Sequence, residues 1–80
     1  MSLRGYSFRL VQANHTADSK RIGVALGRYC ISKDIPVAEV AEKFDVSRMT
    51  IYSWFTGVSD PHRSKAEQIA AMLKRARFSV

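Results

Sequence analysis

Residues 37–57, VAEVAEKFDVSRMTIYSWFTG, constrain the fold more than any other stretch of the chain. Val40 and Phe44 stand one helical turn apart, Ala41 is small, Asp45 and Val46 make a corner, and Ile51 and Trp54 return to the apolar side. That spacing predicts two short helices joined by a tight turn. Helices crossing at about 90–120° touch only where the contact residue is small, the part Ala41 plays here. The second helix then protrudes with one face free.

Neighbouring signals set the boundaries. Pro36 cannot continue a helix from before it but tolerates the first turn of the next, so Val37–Phe44 reads as one helix. Ser47 reads as an N-cap, opening a helix over residues 47–56 with Gly57 as the stop. Upstream, Thr16 reads as an N-cap with Asp18 in the first turn, where a carboxylate suits the helix dipole. Ile22, Ala25, Leu26 and Tyr29 follow at helical spacing in a helix ending near Ser32. Gly23 and Gly27 weaken that helix by up to ~1 kcal/mol each relative to alanine, or permit a close helix neighbour. Downstream, residues 58–63 form a loop containing Asp60-Pro61. Ser64 and Glu67 have the spacing of a capping box, and Ala66, Ile69, Ala70 and Leu73 form the buried stripe of a last helix, with Met72 beside it. Tyr6, Phe8 and Leu10 alternate with Ser7, Arg9 and Val11, so residues 1–15 read as a short strand or an irregular arm. The expected fold class is all-α: a compact four-helix domain over residues 16–75, an N-terminal arm or strand over 1–15, and a tail over 76–80.

Composition narrows the function. With 80 residues, 46% of them hydrophobic, one domain with its own core is affordable. The single cysteine, Cys30, excludes an intramolecular disulfide framework and a Cys-based zinc site, reads as a small core residue, and fits a reducing cytoplasm. His15 and His62 are too few and too separated for a metal site. No apolar run approaches the ~20 residues that span a bilayer, and the start of the chain lacks the apolar core of a secretory signal. A soluble cytoplasmic protein is expected. No nucleophile–base set, phosphate-binding glycine loop or carboxylate pair appears, so no catalytic residues, cofactor or metal are assigned and an enzyme is not expected. Thirteen Lys and Arg against seven Asp and Glu give a formal charge of +6, which favours polyanions.

The protruding helix divides into two faces at ~100° per residue. Ile51, Trp54, Phe55 and Val58 gather on one side as the anchor; Arg48, Met49, Tyr52, Ser53 and Thr56 gather on the other. A solvated face is usually rich in Lys and Glu, whereas this one carries no carboxylate. Its chemistry suits the edges of bases in a major groove. Arg48 can bond in bidentate fashion to guanine, Ser53 can donate or accept, and Met49 and the Tyr52 ring can pack against thymine methyl groups. Ser47 at the helix N-terminus, with Thr50 one turn on, is placed for a phosphate. Thr56, Gly57, His62, Arg63 and Lys65, around the end of this helix and the start of the next, are candidates to clamp the backbone of the same groove.

From Ala38-Glu39-Val40-Ala41 through Trp54-Phe55-Thr56-Gly57 the chain resembles the phage-repressor and Cro class of helix-turn-helix proteins, the lambda-repressor-like superfamily. The four-helix pattern covers about residues 16–75, with residues 37–57 the specific part. The resemblance implies binding to double-stranded DNA as a transcription regulator, acting as a homodimer or higher homo-oligomer on pseudo-palindromic sites. It places Arg48, Met49 and Ser53 where family members contact bases, and Ser47, Thr56 and Gly57 near their phosphate contacts. Two positions depart from the pattern: Val37 stands where the family often has a glutamine that anchors to phosphate, and Asp45 replaces the usual turn glycine. The fifth helix of the full repressor fold is missing or reduced to residues 76–80. Two other readings stay open: a DNA-recognition subunit of phage transposition or packaging machinery, and a protein-interaction domain of the same fold without DNA binding. An arm carrying Arg4 and Arg9 could reach a neighbouring minor groove.

Overall fold

The computed structural model describes residues 6–76, and the calls on Arg4 and on residues 77–80 lie outside them. Five helices follow in order: α1 (Phe8–Thr16), α2 (Ile22–Ser32), α3 (Val37–Phe44), α4 (Arg48–Thr56) and α5 (Arg63–Arg75). The all-α expectation holds, with one helix more than the sequence suggested.

α2 is the centre of the domain. Its residues Gly23, Val24, Ala25, Leu26, Gly27, Cys30 and Ile31 are all buried. A helix apolar around most of its circumference has to be covered on several sides, and α1, α4 and α5 all pack on it. The closest approach is to α4, and the two glycines make it possible. A Cβ at Gly23 would stand 2.8 Å from the Trp54 carbonyl oxygen, and one at Gly27 would stand 2.8 Å from Cγ of Phe55. The helix weakness read from the sequence is thus the condition for its packing. α3 leans on α4 through Val40, Ala41 and Phe44, all buried, with the Phe44 ring edge-on to Trp54 at 6.3 Å.

The corner between α3 and α4 forms as expected. Asp45 adopts the left-handed conformation (φ 56°, ψ 49°), its N–H bonding to the Ala41 and Glu42 carbonyls, and the Val46 N–H closes on Ala41 at 3.0 Å. That bond pair satisfies carbonyls left open at the helix end, which offsets the ~1–2 kcal/mol a non-glycine residue costs there. Ser47 caps α4, its Oγ accepting from the Thr50 N–H at 3.1 Å, and Gly57 ends the helix at φ 79°.

The N-terminal segment is where the sequence expectation fails. Residues 8–16 are helical, not a strand or an irregular arm. Ser7 caps this helix by accepting from the Leu10 N–H at 3.1 Å. Leu10 and its neighbour Val11 both pack against the core, which a strand of period two cannot arrange, while Phe8 points to solvent. Thr16 is therefore not the N-cap of the next helix. It closes α1, donating to the Gln12 and Ala13 carbonyls, and α2 begins only at Ile22. Asp18 instead folds a turn ahead of α2 by accepting from the Lys20 N–H at 2.9 Å. The Arg28 guanidinium reaches back to the His15 and Ala17 carbonyls at 2.8 and 3.2 Å, holding the end of α1 against α2.

Three smaller corrections concern the C-terminal half. The capping box at Ser64 and Glu67 does not form, because α5 starts at Arg63 behind an extended His62 and puts Ser64 inside its first turn. Val58 is 78% exposed, since the left-handed turn at Gly57 carries the chain away before Val58 can complete the anchor face. Of the α5 stripe, Ile69 and Leu73 are buried but Ala70 is exposed.

Candidate nucleic-acid interface

α4 is anchored by Ile51, Trp54 and Phe55, whose side chains are 0–4% exposed. The opposite face carries Met49 at 73% and Tyr52 at 41% exposure, with Arg48 exposed and Ser53 and Thr56 half-buried. The structure therefore brings the expected base-reading set Arg48, Met49, Tyr52 and Ser53 together on one outward surface. Its rigidity has a visible source. Asn14, 2% exposed, donates through its amide nitrogen to the Phe55 carbonyl at 2.6 Å and to the Val24 carbonyl at 3.2 Å. The Tyr6 ring stacks on Phe55 at 6.4 Å, and its hydroxyl donates to the Ile35 carbonyl. α1, α2 and α3 thus all bear on α4.

The hydroxyl groups differ in what they can still offer. The Ser47 and Thr50 hydroxyls lie 3.0 Å apart in one hydrogen bond, so one proton is used between them and the other is free for an outside acceptor such as a phosphate oxygen. Thr56 donates its only hydroxyl proton to the Tyr52 carbonyl at 2.8 Å, so toward an anion it must first release that bond. Gly57, at the C-cap, offers close backbone approach without a side chain.

His62, Arg63 and Lys65 stand across the 57–62 loop at the first turn of α5, His62 and Arg63 exposed and Lys65 half-buried. Arg63 has Glu67 one turn on at 3.9 Å, both side chains largely in solvent, so the guanidinium stays available. The same loop holds Asp60, whose charge would repel a phosphate. Arg21 neutralises it with a two-pronged contact, Nε and Nη2 donating at 3.0 and 2.8 Å. The hydrogen bond to Arg21, reinforced by its charge, holds the Asp60 carboxyl below the usual carboxylate range.

Sequence reading missed Asn14, Arg28 and the Arg21–Asp60 pair. Each joins residues 10 to 41 positions apart through polar atoms, and nothing local marks them. Among the described residues no group of His, Cys, Asp and Glu could hold a metal ion, and no helix is long and apolar enough to cross a membrane.

A helix anchored on one side, bare of carboxylates on the other and introduced by a left-handed corner defines a helix-turn-helix unit. A helix-turn-helix family model, of the lambda-repressor and Cro-like class, matches residues 26–76, and the chain belongs to that family of DNA-binding regulators. No curated protein and no solved structure matches the chain significantly.

Proposed function

We propose that this protein binds double-stranded DNA sequence-specifically, as a repressor-like transcription regulator of phage or bacterial type working in the cytoplasm. The observation that carries the reading is the outward face of α4, which exposes Arg48, Met49 and Tyr52 from a helix locked at its back by Ile51, Trp54 and Phe55. α4 lies in the major groove, where Arg48 takes a guanine edge, Ser53 a polar base edge, and Met49 and Tyr52 the thymine methyl groups. Ser47 and Thr50 at the start of α4, Thr56 and Gly57 at its end, and His62, Arg63 and Lys65 beyond the loop contact the backbone on either side. Those contacts supply most of the affinity and make it fall with salt. Bound protein excludes polymerase from the site.

The test is selection of duplexes from a random pool, followed by titration of the enriched sequence with two variants. Arg48→Ala should cost ~1–3 kcal/mol on the enriched duplex and relax its specificity, whereas Arg63→Ala should weaken enriched and random duplexes alike. Two inverted half-sites in the enriched sequence identify a homodimer as the working unit. If nothing is enriched, or both variants behave alike on both duplexes, the reading of α4 as a base reader is wrong.

A further inference from the structure

α1 precedes the span that the family match covers, and it packs against α4 so that residues of both helices line one surface groove. Between the two helices runs an open groove of about 570 Å³, with Ser7, Arg9, Leu10 and Ala13 on one wall and Tyr52 and Thr56 of α4 on the other. The charges around it are one-sided. Neither α1 (FRLVQANHT) nor α4 (RMTIYSWFT) contains an acidic residue, although the chain has seven. Arg9 is exposed and has no ion-pair partner among the described residues, and it is the one ionised side chain on the groove walls. The remaining polar groups on the walls are the hydroxyls of Ser7, Tyr52 and Thr56.

We infer that α1 is a second DNA-contacting element, with Arg9 pairing a phosphate of the strand that borders the groove occupied by α4. The inference rests on the proposed DNA reading and extends it. Tyr52 faces both the bases and this groove, so a backbone strand running past Tyr52 comes within reach of a cation on the facing wall. A carboxylate on either helix would oppose that approach, and there is none. A long, flexible guanidinium on a fixed helix can take a phosphate oxygen while carrying no sequence information, which makes it a register contact. Arg9 thus acts from a docked helix and not from the free arm that the sequence suggested.

The test is the salt dependence of binding to the enriched duplex, measured for the wild-type chain, Arg9→Ala, Arg9→Lys and Lys74→Ala. Lys74 lies on the last turn of α5 beside Lys20 and Ile22, away from this groove. Loss of one phosphate contact should lower the slope of log K against log salt by about 0.9 and weaken binding about five-fold at physiological salt, on enriched and random duplexes alike. Arg9→Lys should keep most of the slope, and Lys74→Ala should leave it unchanged. The melting temperature of Arg9→Ala should match the wild type, because the side chain is exposed. A wild-type slope in Arg9→Ala overturns this inference alone. Failure of the wild-type chain to bind any duplex overturns the DNA reading and this inference with it.

Discussion

Replacing Asn14 with alanine should destabilise the domain by about 2–4 kcal/mol. The amount follows from where the Asn14 amide donates. The Val24 carbonyl lies within α2, where the helix supplies its own partner. The Phe55 carbonyl is different. It is in the last turn of α4, and the N–H four residues on, that of Ser59, goes to the Ser53 carbonyl at 3.3 Å instead. Asn14, at 2.6 Å, is the partner that satisfies it in the buried interface. An orphaned buried carbonyl costs about 1–3 kcal/mol. The space left by the missing amide group adds about 1 kcal/mol. An 80-residue domain has roughly 4–12 kcal/mol in all, so the loss is a large share. At about 4–8 °C per kcal/mol for a domain of this size, the melting temperature should fall by roughly 8–32 °C. Asn14→Asp should be at least as harmful, since it removes the donor and buries a charge facing a carbonyl. Thermal and urea unfolding followed by circular dichroism measure both variants. A loss below about 0.5 kcal/mol for Asn14→Ala, the range of ordinary surface substitutions, would refute the assignment of Asn14 as the partner of Phe55.

Other outcomes follow from the same geometry. Gly57→Ala should cost about 1–2 kcal/mol in unfolding experiments because φ is 79° there, and Gly57→Asn should cost less, since asparagine enters the left-handed region more readily. The Cys30 thiol, 1% exposed, is pushed up to about 12, chiefly by burial and secondarily by the charge of Glu39. Its folded value lies above the ordinary ~8.5, so the stability it contributes is full below that pH and is lost as pH rises toward the folded value. Unfolding midpoints of the wild type should therefore fall more steeply above about pH 8.5 than those of Cys30→Ala, and alkylation of the native thiol should be slow. Arg21→Ala should move the Asp60 carboxyl back up toward the ordinary carboxylate range in an NMR titration. An unmoved Asp60 would mean that the two-pronged contact does not persist in solution.

The parts of this fold that were legible in the sequence are those whose chemistry is local. Ser47, Asp45 and Gly57 announce the ends of α3 and α4 because a cap or a left-handed turn depends on residues within a few positions, and each sits where that logic puts it. The two faces of α4 were legible for the same reason, apart from Val58, which lies beyond the turn that changes the chain's direction. α1 was not. Its inward face is Leu10, Val11 and a buried asparagine, and only contacts to residues 24 and 55 make the asparagine an interior residue. Read alone, that polar position breaks the apolar period, and the alternation of Tyr6, Phe8 and Leu10 imitates a strand. The Arg21–Asp60 pair was equally hidden, since residues 39 positions apart meet only once α2 and the loop after α4 are in place.

The absence of a side chain at Gly27 has a bearing on how this chain changes over time. A Cβ there would stand 2.5 Å from the Asn14 amide nitrogen and 2.8 Å from Cγ of Phe55, so positions 14, 27 and 55 interlock. A replacement at one of them is tolerated only with a compensating one at another, and the three are expected to vary as a set. Position 27 lies inside the family-matched span and Asn14 outside it. Among descendants of a common ancestor, a lineage that loses α1 still keeps the contact with Phe55, so position 27 opens to alanine, the better helix former, only where position 55 has become smaller as well. A glycine retained at position 27 opposite a large ring at position 55 is then a mark of the close contact between α2 and α4, and joint variation of both with position 14 is the mark of an inherited α1 packed against them.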